Sequence, residues 1–456
     1  MRFLLRRPAL VLFLGAFLVY NLNLRPIPSG DTAPAALLPL AVWLDGTITL
    51  DRYAPWLAGR YPEGAYFFTE KDGRHYSAYP IVQPLLLLPL YSPLVLAPGL
   101  RAWPVESLVL LARLLEKLAA SLVAACAVAL FYCLARRFAG QWRALGLALL
   151  FGFATSTWSV SSQALWQHGM GQLLIIASLL CLESRLEGAR GRLTWAGAGL
   201  CAALSAGVRP TNVLFVAACC AVLLVRRRWK LLASYVLFGA VVGGAVAAYN
   251  LAVFGRLSGG YPASFEPNLL AGLAGLLFSP ARGLFVYSPV FLFLGVAAWL
   301  RLRRGTERGG PVMAVCVLFP IVHVLLHAAW PVWWGGDCFG PRLLSEALPC
   351  LTLLLAPMLA WLERAKPAKV AFVALAACSV FVQFVGAFSY PGGDWHAKPA
   401  PVRERRERLW DWRDNPIRRD LSAGVNLNPH RLLAELVAAR LEGRKPKVEG
   451  LGLYAQ

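Results

Sequence analysis

MRFLLRRPALVLFLGAFLVYNLNLRPIPSGDT, residues 1–32, sets three features side by side: a basic start (Arg2, Arg6, Arg7), an apolar run from residue 8 to residue 22, and a polar turn ending in Ser29-Gly30-Asp31-Thr32. A helix needs about 20 apolar residues to cross a bilayer, and tilt lets somewhat shorter ones serve. A signal peptide shares the basic-then-apolar order, but no small-residue cleavage site is clear here; Tyr20-Asn21-Leu22-Asn23 is a poor one. The run therefore reads as an uncleaved first helix with its N-terminus inside.

The rest of the chain repeats this pattern. Of 456 residues, 58% are hydrophobic and 15% charged, whereas a soluble domain carries about 25% charged residues. Too little polar surface remains to coat compact soluble cores, which points to an all-α polytopic membrane protein. The net charge of +21 would suggest nucleic acid in a soluble protein. Here the basic residues sit in short clusters between apolar runs, as cytoplasmic loops require. Nine of the ten cysteines fall in or at the ends of those runs, and only Cys338 falls in an aqueous loop. Neither a disulfide framework nor a zinc spacing is present, so they read as small apolar packing residues.

About eleven transmembrane helices are expected, at residues 8–22, 117–135, 144–160, 170–183, 193–208, 211–225, 231–253, 284–300, 311–329, 346–362 and 368–388. Alternating sides from an inner N-terminus places every short basic cluster on one face: Arg2/Arg6/Arg7, Arg136/Arg137/Arg143, Arg185/Arg190/Arg192, Arg226/Arg227/Arg228/Lys230, Arg301/Arg303/Arg304/Arg308 and Arg364/Lys366/Lys369. The opposite face receives a long first loop (23–113), four further loops, and a tail (391–456) that folds as a small extracytoplasmic cap after a membrane domain spanning 1–390. Within the first loop, residues 34–44 suit a helix lying in the membrane interface. Residues 79–100 are apolar enough to span. They carry Pro80, Pro84, Pro89, Pro93 and Pro98, however, and each interior proline removes a helix hydrogen bond. They read as broken juxtamembrane structure. No internal repeat appears.

The outer loops hold the candidate chemistry. Asp31 is either a solvated helix cap, alone or with Ser29, or a carboxylate placed to act as general base on a hydroxyl. Trp330-Pro-Val-Trp-Trp-Gly-Gly-Asp337-Cys-Phe-Gly-Pro-Arg342 combines aromatic residues that could simply anchor at the interface with an acid and a guanidinium on tight glycine turns. In Phe278-Ser-Pro-Ala-Arg282-Gly-Leu-Phe-Val-Tyr287, Arg282 either snorkels from a re-entrant turn or supplies a cation for an anionic lipid head. His168 and Arg209 are weaker candidates: a lone histidine is often structural, while an arginine on the outer face runs against the inside bias. His323 and His327, at i,i+4 spacing, could form half a metal site, but HExxH is absent and no metal site is assigned.

These elements together resemble the GT-C superfamily of integral-membrane glycosyltransferases, as in protein O-mannosyltransferases and aminoarabinose transferases. There the first outer loop opens with a functional acid and holds two juxtamembrane helices; Asp31 stands in the place of that acid, and 34–44 and 79–100 look like the helices. Residues from Ala112-Arg113-Leu114 to Arg137 are similar to the superfamily's second helix. The pattern covers most of 1–390. It departs in two respects: the usual adjacent acidic pair is replaced by Asp31-Thr32, and the tail, with Trp395 and Leu409-Trp-Asp-Trp412, is too short for a large soluble domain.

The resemblance implies a sugar donor carried on a polyprenyl phosphate, in a bacterial plasma membrane, and a hydroxyl acceptor on a lipid, glycan or protein. Transfer of the hexosyl or pentosyl group would invert the anomeric carbon in one displacement, with Asp31 as base. Arg282, Arg342, Arg209 and His168 would stabilise the leaving phosphate, with Tyr287 beside them and Asp337 orienting hydroxyls. No cofactor is certain; a divalent cation is the one candidate. A transporter or flippase of lipid-linked glycans is the alternative function, and it would place charged or broken-helix positions deep in the spans.

Overall fold

The computed structural model of the chain describes residues 7–23, 25–27, 29–61, 65–95, 99–184, 188–260, 268–304, 310–427 and 431–447. Arg2, Arg6, Arg185, Arg308 and Pro98 lie outside the described residues.

Each of the eleven apolar segments is mainly helical, because in a lipid environment every backbone N–H and C=O must be satisfied within the segment, but three are interrupted: 144–160 at Ala154-Thr155, 284–300 at Ser288 and 346–362 at Leu355. Their lengths are unequal. Val105–Ala135, Trp229–Phe254, Pro311–Ala328 and Lys366–Phe388 are long and apolar enough to cross a membrane alone. A fifth crossing results if Arg342–Leu354 and Ala356–Leu362, bent by 44°, form one span. Shorter apolar helices make up the remainder, among them Pro8–Asn21, Gln167–Leu182 and Val213–Val225. Trp229–Phe254 leaves nearly all its side chains outside the protein core, with Val236, Leu237, Phe238 and Val241 exposed, as a lipid-facing helix should.

The longest helix, Val105–Ala135, extends twelve residues further into the first loop than expected. Arg113, Glu116 and Lys117 interrupt the apolar run there, and in the structure all three are buried among protein groups. Arg113 pairs with Glu116. Lys117 Nζ donates to Tyr20 O at 2.8 Å, Ser162 O at 3.1 Å and Gln163 Oε1 at 2.8 Å. A charge enclosed in this way has its partners supplied and no longer ends the helix.

The first loop, between Pro8–Asn21 and Val105–Ala135, is a packed body. Its helix Ala33–Asp45 is enclosed rather than laid flat, with Ala36, Leu37, Leu38 and Leu40 essentially inaccessible. It packs with Tyr53, Phe67 and Tyr91 against Leu108, Val109 and Ala112 of the long helix. The proline-rich stretch is broken as expected, into Val82–Leu86, Leu88–Val95 and a 3-10 turn at Leu100–Ala102. A two-stranded hairpin, Phe68–Lys71 with Arg74–Ser77, turns through Asp72 (φ 52°) and Gly73 (φ 68°). Positive φ at both turn residues matches the strand twist.

The tail closes over the loops after residue 278. Trp395, Val402 and Leu409 bury against Ala281 and Trp334. Ser279 Oγ donates to Leu409 O at 2.6 Å, and Trp395 Nε1 to Asp414 O at 3.0 Å. Helix Pro416–Ala423 returns Asp420, whose Oδ1 accepts from Gly393 N at 2.8 Å. Beyond it, helix Arg431–Leu441 buries Leu436 against Leu110.

Burial pushes the Asp420 carboxyl up to about 7, against the opposing pull of the Gly393 N–H and of Arg25 and Arg282. In an undocked tail the same group titrates near ~4. Its ionised form is therefore disfavoured by docking: attachment is strongest below pH ~4 and weakens as pH rises through about 7. Limited proteolysis of the 391–427 segment should accelerate between pH 5.5 and pH 8.5, and Asp420→Asn should flatten that dependence. A cleavage rate indifferent to pH in both proteins would refute the assignment.

Candidate active site

Ser29 caps the 3-10 turn Gly30–Thr32, its Oγ accepting from Asp31 N at 3.2 Å. This leaves the Asp31 carboxylate for other partners. Its Oδ1 accepts from Tyr79 Oη at 2.7 Å and Tyr66 Oη at 3.2 Å, and its Oδ2 from Arg342 Nη1 at 3.0 Å. Gly30 admits the Tyr66 hydroxyl where a side chain would collide with it. Asp31 is one-quarter exposed and Arg342 about one-eighth, so the pair sits at a mouth, neither sealed nor free in solvent.

Arg342 is held from three sides. Besides Asp31, its Nη2 donates to Gly335 O at 2.6 Å, and its guanidinium carbon lies 4.1 Å from the Trp166 ring centre. Stacking on an indole while bonding a carboxylate exploits the planarity of arginine, which lysine lacks.

The loop that presents Arg342 winds through Gly335 (φ 76°), Gly336 (φ 70°) and Gly340 (φ 72°). Arg282 staples it. That side chain is completely buried and donates Nε to Trp334 O at 2.8 Å, Nη1 to Ala281 O at 2.6 Å and Nη2 to Gly336 O at 2.9 Å. Its guanidinium is thus directed onto the main chain. Tyr287 is buried under the same loop, edge-on to Phe339 with ring centres 5.0 Å apart. Asp337 is largely exposed, with His396 Nδ1 of the tail 3.5 Å from its Oδ1. Burial, with the Arg282 charge next, pushes the His396 imidazole well below its ordinary value, so it is neutral.

A second polar centre lies deeper. Glu346, fully buried, receives His168 Nδ1 at 2.9 Å on Oε1 and 3.0 Å on Oε2, and Arg209 Nε at 3.3 Å. His323 Nε2 is 4.0 Å away and donates to Leu343 O at 2.9 Å. His327 Nδ1 donates to His323 O at 2.8 Å, which leaves its Nε2 to face Arg209 Nη2 at 3.3 Å. Each of the two i,i+4 histidines thus gives one ring nitrogen to a main-chain carbonyl, while His323 Nδ1 is buried with no hydrogen-bond partner among the described residues. Among the described residues, no three His, Cys, Asp or Glu side chains are grouped as a metal site.

The structure therefore brings Asp31 to Arg342, joins His168 with Arg209, and sets Arg282, Tyr287 and Asp337 around the glycine loop. Sequence reasoning missed Glu346, Tyr66 and Tyr79, and had Trp166 only as part of the weaker Trp166-Gln167-His168 candidate. For Glu346 the signal was there: an acid four residues after Arg342, inside an apolar run, demands a partner. For the two tyrosines there was none, since only the folded loop brings them to Asp31.

An apolar cavity of about 370 Å³ adjoins the site, lined by Val82, Leu86 and Pro210 and by Val241, Val246 and Phe254 of the lipid-facing helix. Tyr79, which donates to Asp31, is part of its wall.

This architecture, a helical polytopic membrane protein with an acid-bearing first loop packed on the long second helix, is shared as a fold with solved structures of the membrane protein ArnT. The crystal structure of ArnT from Cupriavidus metallidurans in the apo state superposes with a TM-score of 0.55 at 14% sequence identity, over 98% of this chain and 74% of that one. The structure of the same protein bound to undecaprenyl phosphate gives a TM-score of 0.51 at 13% identity, over 94% and 78%. No family profile matches the sequence, and no curated protein sequence matches it. At such identities the likeness is one of fold.

Gly340 combines a left-handed φ of 72° with the Tyr287 ring, whose Cδ1 would lie 2.6 Å from any added Cβ. Gly340→Ala should displace the Arg342 loop, lowering the melting temperature of the detergent-purified protein by several degrees, as expected for about 1–3 kcal/mol of strain. An unchanged melting curve would show that the loop tolerates the shift.

Proposed function

We propose that the chain is a glycosyltransferase that moves a sugar from a polyprenyl-phosphate carrier to an acceptor hydroxyl. It would act at the outer face of a bacterial plasma membrane, with the N-terminus cytoplasmic. The observation that carries this reading is the position of Tyr79, which both walls the apolar cavity and donates to Asp31. An isoprenoid chain in that cavity would deliver its polar head to the carboxylate. The GT-C fold supports the same chemistry, and ArnT has been crystallised with undecaprenyl phosphate.

The proposed reaction is a single displacement. An acceptor hydroxyl gives its proton to Asp31 as its oxygen bonds to the anomeric carbon. The bond from that carbon to the phosphate oxygen breaks, and the electron pair leaves with the lipid phosphate. Arg342 and Arg209 are the cations placed to stabilise that charge, with His168 beside Arg209. Arg282 and Tyr287 act through the loop they hold. Asp337, exposed at its tip, is placed to orient acceptor or sugar hydroxyls.

Asp31→Asn keeps the shape and loses the base, so transfer should fall by about 10²–10⁴-fold while the protein remains monodisperse. The assay is release of labelled sugar from a polyprenyl-phosphate donor by the purified full-length chain in nanodiscs. Normal turnover by the variant would sink the base assignment. A wild-type protein that leaves the sugar on its carrier while moving the lipid between leaflets would sink the transferase reading itself.

A further inference from the structure

The deep centre contains a carboxylate that the proposed reaction does not use. Glu346 is wholly enclosed, and one of its oxygens, Oε1, faces both His168 Nδ1 (2.9 Å) and Arg209 Nε (3.3 Å). Around Arg209 the remaining contacts are also fixed. Nε donates to Thr211 Oγ1 at 3.0 Å, and Nη2 faces His327 Nε2 at 3.3 Å. Among the described residues Nη1 makes no hydrogen bond, and it is the one corner of the guanidinium not committed to protein. Arg209 directly precedes Pro210, which lines the apolar cavity.

A guanidinium on a flexible stem loses considerable rotamer freedom when it is fixed, and a ligand must supply that ordering unless the protein already has. Here the ordering is built in. The Nε edge is pinned by Glu346 and Thr211 and one Nη atom by His327, which leaves Nη1 uncommitted on the residue that precedes Pro210. Glu346 also fixes His168 in the tautomer that carries its proton on Nδ1. A carboxylate could serve either by its charge or by its shape, and the two roles predict opposite mutational patterns. A negative charge beside an anion subsite opposes binding; an acceptor in the right place favours it.

We propose that Glu346 is a positioning residue for the donor-phosphate subsite, holding the Arg209 guanidinium with its free Nη1 corner toward the phosphate through the placement of Oε1. This inference rests on the transferase reading above. His168 Nδ1 reaches both carboxylate oxygens but Arg209 Nε faces Oε1 alone, so Gln at 346 can still accept from Arg209 and His168 through its one oxygen, whereas Asp, one methylene shorter, keeps the charge and withdraws the oxygen.

The test is equilibrium binding of undecaprenyl phosphate to the full-length protein in detergent, with monodispersity checked for each variant. Glu346→Asp should weaken binding about tenfold and Glu346→Gln only about threefold, a span expected for one misplaced charge-assisted hydrogen bond. In an Arg209→Lys background, which lacks the Nε edge, Glu346→Asp should add less than about twofold, since contacts that share a partner do not add. Wild-type affinity in Glu346→Asp, a Gln variant as weak as the Asp one, or full additivity with Arg209→Lys would each overturn the proposal. Should Glu346→Asp fail to fold, Thr211→Val removes the other acceptor of the same Nε and should weaken binding about threefold; no effect overturns the proposal. If the wild type does not bind undecaprenyl phosphate, the donor reading falls and this inference with it. If the wild type binds and the aspartate variant binds equally, this inference alone falls.

Discussion

The ion pair between Asp31 and Arg342 closes a loop of 311 residues, and the loops around it serve to make that closure possible. Surface ion pairs contribute little because water solvates both partners and the side chains must be immobilised. This pair differs in its surroundings. Two tyrosine hydroxyls share the carboxylate, and an indole face and a main-chain carbonyl hold the guanidinium. Each group is ordered before the other arrives, so little entropy remains to be lost when they meet. Neutralising either partner would leave a partly buried charge with neutral neighbours only, and that asymmetry sets the geometry of the site locally while the buried helix contacts hold the fold.

The same logic governs the interior. A bundle of apolar helices has no strong preference for one arrangement in lipid, because side chains meet hydrocarbon whether or not they pack. Specificity has to come from groups that cannot tolerate lipid. Lys117, with Tyr20 O, Ser162 O and Gln163 Oε1 as acceptors, fixes the first helix and residues 162–163 to the long second helix. Arg282 does the same for the glycine loop by bonding to three carbonyls, with His396 Nδ1 of the tail 3.3 Å from its Nη2. In both cases a cation organises main chain, while the exposed chemistry is left to neighbours.

How much of this was legible in the sequence follows from the same distinction. Apolar runs and proline breaks are local, so each of the eleven segments, the helix after Asp31 and the broken stretch at 79–100 could be read directly. The start of Val105–Ala135 could not, because Arg113, Glu116 and Lys117 look like a helix end unless their buried partners are known. Asp31 and Arg342 were visible as unusual residues, but Tyr79 was one tyrosine among prolines until the loop folded it against the acid. Arg282 illustrates the converse. Its outer-loop position suggested a ligand cation, and only the carbonyls of Ala281, Trp334 and Gly336 reveal where its donors go.

The two polar centres are also not independent. Arg342 opens and Glu346 lies within a single 3-10 turn, Arg342–Ala347, so the acid-facing guanidinium and the carboxylate that meets Arg209 ride on the same rigid piece of backbone. Ser345 of that turn is bonded to the buried 156–172 region: its Oγ lies 2.9 Å from Ser156 Oγ, and its carbonyl accepts from Gln172 at 2.8 Å. A shift of the turn that drew Arg342 away from Asp31 would have to drag Glu346 off His168 as well, breaking bonds among groups buried from solvent. The geometry at the mouth is therefore held from below. A site built this way can offer a quarter-exposed carboxylate to a substrate without letting its cation wander, because the cation's backbone is anchored where solvent does not reach.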